Sequence, residues 1–178
     1  TLGLATFVVG LCSTLIQFVW AMRLTGAGMV VLGVLLLYFD VARRRLKAGG
    51  QARFIAATLL SGYFWLAIAG VLALWYGGFM AGPTYDAILH ALFLGFTISM
   101  IFAHAPIVFP ALLKVEMRFS SRFYLHTILL SLTLVLRIVS DLWLWQPGRM
   151  WGGLLNAATL LLFLFNTLLS LQLLKKSL

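Results

Sequence analysis

Long apolar runs alternate with short polar gaps along the whole chain. A helix that crosses a bilayer needs about 20 mostly apolar residues, and unpaired backbone is too costly in lipid for anything except helices and closed barrels. Barrel strands would show segments of about ten residues with alternating polarity, whereas these runs are continuous. The pattern therefore predicts an all-α fold, a polytopic integral membrane bundle of about six transmembrane helices.

We place the spans at roughly 2–21, 26–42, 53–78, 85–110, 122–146 and 151–174, all within one transmembrane domain, residues 1–178. The first two spans are separated only by Ala21 to Thr25, so a tight turn is required there. Because the first apolar run starts at Thr1 and not at a Met, we expect the chain to be processed or to be part of a longer one.

Basic residues in the short gaps predict the orientation, because cytoplasmic loops carry an excess of Lys and Arg. One side of the membrane receives Arg43, Arg44, Arg45, Lys47, Arg53, Lys114, Arg118, Arg122, Lys175 and Lys176. The other side receives Arg23 and Arg149. This asymmetry predicts that both termini are cytoplasmic and that the protein is integral to a plasma membrane, the inner membrane of a bacterium.

Composition supports a membrane protein and excludes several other classes. The chain is 63% hydrophobic and 10% charged, whereas soluble domains are about 45–50% apolar and about 25% charged. The net charge of +9 does not indicate a nucleic-acid partner, because the basic residues sit in short gaps and form no solvated face. The single Cys12 excludes an internal disulfide, a CxxC metal site and c-type haem attachment. The lipid bilayer is the expected partner.

All three histidines lie inside predicted spans, where ionisable groups are expensive and usually mark function. His90 and His104 are separated by close to four α-helical turns, so both are expected on one face of the fourth span. His126 lies on the fifth span, which also carries Arg137 and Asp141. In an antiparallel hairpin, these positions place His104 opposite His126, and His90 opposite Asp141, at matched depths.

Two imidazoles at one depth on facing helices are what a bis-histidine haem b requires. We therefore predict that His104 and His126 ligate haem b and that Arg137 contacts a propionate; copper is the alternative metal. His90 is a further candidate ligand, paired with Met100 or with a residue of another subunit, or else it donates to Asp141. The alternative for Arg137 and Asp141 is an internal salt bridge between helical neighbours.

Two resemblances point in the same direction. Two histidines four turns apart on one helix resemble membrane cytochromes of the b type, although a second helix there supplies two more histidines and here supplies one. The segment 90–100, HALFLGFTISM, resembles part of the NnrS family of haem- and copper-containing membrane proteins. That resemblance implies a metal- or haem-ligand role for His90. The chain departs from the family in its smaller number of spans and in the His104-Ala105-Pro106 continuation.

The resulting functional prediction is a membrane subunit that binds haem b and transfers electrons, with quinol as a candidate donor, inside a larger respiratory or photosynthetic complex. Other membrane subunits and a quinone are the expected partners. Independent enzymatic activity is not expected, because no acid–base pair faces an evident substrate cavity. The alternatives are a cofactor-free structural or assembly subunit, and a proton or small-solute pathway lined by His90, Asp141 and Arg137.

Overall fold

The computed structural model describes residues 2–13 and 17–171, and this part of the chain is built from helices. The elements are α1 (Leu2–Ser13), α2 (Phe18–Phe39), α3 (Ala42–Arg45), α4 (Gly50–Tyr76), α5 (Pro83–His90), a π-helical segment (Ala91–Thr97), α6 (Ile98–Leu113), α7 (Phe123–Leu142) and α8 (Gln146–Ser170). The described residues contain no strand beyond one isolated bridge between Met117 and Leu171.

Five helical stretches are long and apolar enough to cross a membrane. Four of them correspond to the predicted third to sixth spans: Gly50–Tyr76, Pro83–Leu113, Phe123–Leu142 and Gln146–Ser170. The stretch Pro83–Leu113 combines α5, the π-helical segment and α6, and we call it the composite span. The end of the predicted sixth span, 172–174, lies outside the described residues, as do Lys175 and Lys176.

The predicted boundary between the first two spans is wrong. Ala21 to Thr25 lie inside α2, and the boundary falls between Ser13 and Phe18. Two contacts explain why the helix tolerates these polar residues: Thr25 Oγ1 donates to the Ala21 carbonyl at 2.9 Å, and Arg23 lies over the Trp20 ring at 5.7 Å. The fifth long helix is therefore Phe18–Phe39, and α1, with 12 residues, is shorter than a full span requires.

Neighbouring helices pack in antiparallel order along the chain, and glycines set the closest approaches. A Cβ on Gly28 would lie 2.5 Å from the backbone nitrogen of Phe7, which fixes α1 against α2. A Cβ on Gly70 would lie 2.6 Å from the Gly26 carbonyl oxygen, which fixes α2 against α4. Small residues at such crossings let helix backbones approach closely in lipid. The crossings bring residues 40–49 and 114–122 to one end of the bundle, the basic end.

Two prolines inside α6 do not end the helix. Pro110 has no N–H, so it cannot donate to the carbonyl of residue 106. Gln51 of α4 supplies that missing donor, since its Nε2 donates to the Pro106 carbonyl at 3.2 Å. This contact satisfies a carbonyl that lipid would leave unpaired and holds the basic end of the composite span against α4.

Candidate functional site

His104 lies on the outside of the bundle. Its residue is exposed in α6, and its Nδ1 is 2.6 Å from the carbonyl oxygen of Met100, one turn earlier. A carbonyl can only accept, so Nδ1 carries the proton and the neutral ring keeps its lone pair on Nε2. Metal-bound histidines are oriented by the same kind of second contact. His104 therefore offers a fixed ring with an available Nε2 on an exposed face.

The Met100 side chain packs against α4. Its Cε methyl group packs at the place where a Cβ on Gly62 would be, so the side chain fills the space between the composite span and α4. The described contacts of Met100 with the histidine are limited to its backbone carbonyl. Its predicted ligand role remains untested, and its observed role is packing and ring orientation.

His90 sits near the opposite end of the composite span and is half-buried. Its Nδ1 is 2.6 Å from the carbonyl oxygen of Asp86, so Nε2 again carries the lone pair of the neutral ring. The predicted shared face with His104 assumed α-helical geometry throughout, and this assumption is wrong for Ala91–Thr97. A π-helix closes its hydrogen bonds over one more residue, so it turns less per residue. The stretch from His90 to His104 is therefore no longer a whole number of turns, and the two histidines do not share a face.

His126 is enclosed in the bundle and is 0% exposed. Four phenylalanine rings surround it: Phe102 at 4.6 Å, Phe163 at 5.1 Å, Phe123 at 5.7 Å and Phe54 at 6.1 Å between ring centroids. Neither ring nitrogen has a hydrogen-bond partner in the described part of the chain. We call this arrangement the aromatic cage.

The structure does not bring His104 against His126. Their depths agree with the prediction, because the contact of His126 on the composite span is Phe102, two residues from His104. Two residues correspond to about 200° around an α-helix. His104 therefore points away from the side of α6 on which Phe102 contacts His126. Within residues 2–13 and 17–171, no group of three or more His, Cys, Asp or Glu side chains is arranged to hold a metal ion.

Arg137 and Asp141 form the salt bridge that was the alternative to propionate binding. Arg137 Nε lies 3.0 Å from Asp141 Oδ2, and the Asp141 carboxylate is fully buried. Arg149 Nε donates to Asp141 Oδ1 at 2.7 Å, and Arg149 Nη2 lies 3.2 Å from Asp86 Oδ2. These four side chains, which we call the ion lock, join α5, α7 and α8 at the end opposite the basic end.

The ion lock defines roles that the sequence analysis missed. From the sequence, Arg149 is only a loop charge that indicates orientation, and Asp86 carries no prediction. The sequence did contain a signal for this pairing. Asp86 lies at the start of the predicted fourth span and Arg149 just before the sixth, so both are expected at the same membrane face, where opposite charges can pair. The suggested bond from His90 to Asp141 does not form, because Asp141 is held by Arg137 and Arg149 and His90 Nδ1 meets a backbone carbonyl.

A second polar contact lies midway along the α7–α8 interface. Thr133 Oγ1 donates to Asn156 Oδ1 at 2.6 Å, and both residues are buried. Interhelical hydrogen bonds of this kind hold membrane helices together. The interface between α7 and α8 is therefore polar at its centre and ionic at one end.

These features describe an all-helical protein with buried polar interfaces and five helical stretches long and apolar enough to cross a membrane. The chain belongs to DUF8744, a domain of unknown function, whose family model matches residues 1–172. No curated protein and no solved structure matches the chain.

Proposed function

We propose that this protein is a haem b-binding subunit of a membrane complex, in which Nε2 of His104, on the exposed face of the composite span, would hold the haem iron. The observation that carries the proposal is the orientation of His104. Its Nδ1 is held by the Met100 carbonyl, and its Nε2 lone pair is directed away from the ring's own helix contact. When bound, haem b would supply a one-electron redox centre.

The depth of His104 supports this assignment. It lies nine residues before Leu113, or about 14 Å from the end of α6 at 1.5 Å per residue. A polar ring facing hydrocarbon at that depth costs free energy unless a partner covers it. Exposed apolar residues continue along the same side of the composite span, namely Phe93, Ile101 and Val108. This face suits a flat macrocycle with another subunit behind it.

The two predicted ligands differ in accessibility. His104 would be able to hold the haem iron, because its ring is oriented by the Met100 carbonyl and is exposed. His126 cannot face His104 across a cofactor, because it is fully buried and packs against Phe102 and three other phenylalanine rings. The second axial imidazole would therefore come from another chain, either a second copy or a different membrane subunit. His90, with the same ring orientation nearer the other end, is the candidate for a second ligand position.

Arg137 is not available in this arrangement for a propionate, since Asp141, Asp86 and the Arg149 carbonyl surround its guanidinium group. The chain's own contribution is thus to hold one imidazole and to exclude water with apolar helix faces. We propose electron transfer in a bacterial inner membrane as the biological role, with a quinol as a candidate donor. Copper would bind the same Nε2, and optical spectra distinguish the two cofactors.

The test is a reduced-minus-oxidised optical spectrum of the complex extracted from its own membranes in a mild detergent. We expect Soret and α bands for the natural sequence and their loss in His104→Ala. His126→Phe is the matched control, because it replaces an enclosed imidazole by another ring and should retain the bands. Absent bands in the unmodified complex, or bands lost in His126→Phe and kept in His104→Ala, would refute the proposal.

The second candidate is a cofactor-free assembly subunit. The same exposed face favours it, because an imidazole at this depth can hydrogen-bond to a neighbouring helix. In that case the complex lacks the bands, and His104→Ala weakens co-purification with its neighbour. The proton-pathway alternative receives less support, because both oxygens of Asp141 are engaged by arginines.

A further inference from the structure

A cavity of about 370 Å³ opens at the basic end of the bundle, between the 114–122 segment, the start of α7 and the end of α8. Its polar lining residues are Arg118, Ser120, Arg122, Asn166 and Ser170, and its apolar ones are Phe119 and Leu169. The cavity wall contains neither His104 nor any residue of the ion lock. What it binds is therefore a separate question from the proposed cofactor.

The cavity is cationic and lacks a counter-ion within the described residues. All ion pairs among the described residues involve Arg137 or Arg149. Neither Arg118 nor Arg122 is therefore paired with a carboxylate of the described part of the chain. Arg122 immediately precedes the first residue of α7, whose first N–H groups donate to the carbonyls of residues 120–122. The positive charge at the cavity therefore comes from the two guanidinium groups.

A buried amide in the same wall lacks a partner. Asn166 is 8% exposed, and its Nδ2 has no hydrogen-bond acceptor in the described part of the chain. That nitrogen has less than 1 Å² of accessible surface, so it does not present its N–H groups to the cavity. The charged groups that line the cavity are the two arginines, accompanied by two serines, and this set suits an oxygen-rich anion.

Backbone contacts give the cavity a fixed shape. The Arg118 N–H donates to the Ser170 carbonyl at 3.0 Å, and Met117 bridges to Leu171. The Ser170 hydroxyl donates to the Asn166 carbonyl at 2.7 Å. The 114–122 segment is thereby tied to the end of α8, and the arginine-bearing loop is held beside the amide.

We propose that this cavity binds the phosphate group of an anionic ligand. Phosphate presents acceptor oxygens in several directions and is recognised by arginine forks. The cavity lies where α6 and α8 end, the level at which phospholipid headgroups lie in a bilayer. The phosphate of an anionic lipid headgroup and a free phosphate share the required chemistry, and the experiment below distinguishes them.

The test is isothermal titration of the purified full chain in an uncharged detergent. Three probes are used: a short-chain phosphatidylglycerol, inorganic phosphate and a short-chain phosphatidylcholine. We expect saturable binding of phosphatidylglycerol, weakening with added salt, and none of phosphatidylcholine. Equal binding of inorganic phosphate would identify the bare anion as sufficient, and its failure would assign the site to the lipid headgroup; either result supports a phosphate site.

Variants locate the site. Arg118→Ala and Arg122→Ala should each weaken binding by about tenfold, because each removes a hydrogen bond to a charged group. Arg44→Ala is the matched control, since Arg44 is an exposed arginine of α3 at the same end and lies outside this cavity; its effect should be less than about twofold. Arg118 and Arg122 are both exposed, so both variants should fold.

Three results would overturn the proposal. The first is no saturable binding of either anionic probe. The second is equal binding of phosphatidylcholine, whose phosphate is neutralised by its choline group, because this result would show that the net negative charge of the ligand is not recognised. The third is an equal loss in Arg44→Ala and Arg122→Ala, which would show a diffuse surface attraction instead of a site.

Discussion

Asp141 is the residue whose replacement should most clearly reveal what holds α7 and α8 together. Its carboxylate is 0% exposed and accepts from Arg137 Nε at 3.0 Å and from Arg149 Nε at 2.7 Å. Replacing Asp141 by Asn removes the buried negative charge and leaves two guanidinium groups with Asp86 as the remaining carboxylate. We expect Asp141→Asn to lower the free energy of unfolding.

The magnitude follows from the burial of the partners. Removing one member of a buried pair costs about 3–5 kcal/mol, because the other charge is left uncompensated. The Arg137 and Arg149 side chains are 15% and 21% exposed, so they retain some water, and the Asn oxygen still accepts one bond. We therefore expect the lower end of the range, about 3 kcal/mol.

Asp86→Asn is the matched control, because it removes the other carboxylate of the ion lock. The Asp86 side chain is 38% exposed, and its contacts with Arg149 and Arg137 are 3.2 and 4.0 Å. Ion pairs with this exposure contribute about 0–1 kcal/mol. The assay is reversible unfolding of the purified full chain in mixed micelles with an increasing fraction of denaturing detergent, followed by circular dichroism. Equal losses in the two variants would refute the reasoning, as would a loss below about 1 kcal/mol in Asp141→Asn.

The same unfolding assay tests three further expectations. Gly70→Ala should cost about 1–3 kcal/mol through overpacking, because its Cβ would lie 2.6 Å from a carbonyl oxygen of α2; Gly49→Ala, in open space, is the control, and equal effects would contradict close packing. Thr133→Val should cost about 0.6–1.7 kcal/mol by removing the donor to Asn156, and no loss would show that this bond contributes nothing. His126→Phe should leave stability unchanged or raised, since both nitrogens are unpartnered; a clear loss would reveal a hidden partner.

Hydropathy predicted the helical class and, to within about five residues, the long helices at the predicted third to sixth spans. It could do so because a bilayer span needs an apolar run of fixed length. It failed at Ala21 to Thr25, where Arg23, Thr25 and the following Gly26 resemble a gap. The structure continues α2 through them because the Thr25 hydroxyl bonds within the helix and the arginine covers an aromatic ring. Such local compensation depends on rotamers, which hydropathy does not contain.

The sequence predicted the level of the two histidines along their helices, but not the side of the helix on which each lies. The spacing of His104 and His126 placed them at nearly one level, and the contact of His126 with Phe102 agrees. Direction requires the helical phase, and the π-helical segment Ala91–Thr97 changes that phase without an evident sequence signal. The i,i+4 spacing of Arg137 and Asp141 did predict their salt bridge, which is confirmed, because that interaction is local.

The ion lock also bears on how the protein enters the bilayer during synthesis. Arg137, Asp141 and Arg149 all belong to the α7–α8 hairpin, whose two helices are joined only by residues 143–145. In a hairpin that leaves the translocation channel as a pair, both guanidinium groups share the Asp141 carboxylate. The cluster then keeps one uncompensated positive charge until Asp86 of α5 docks against it.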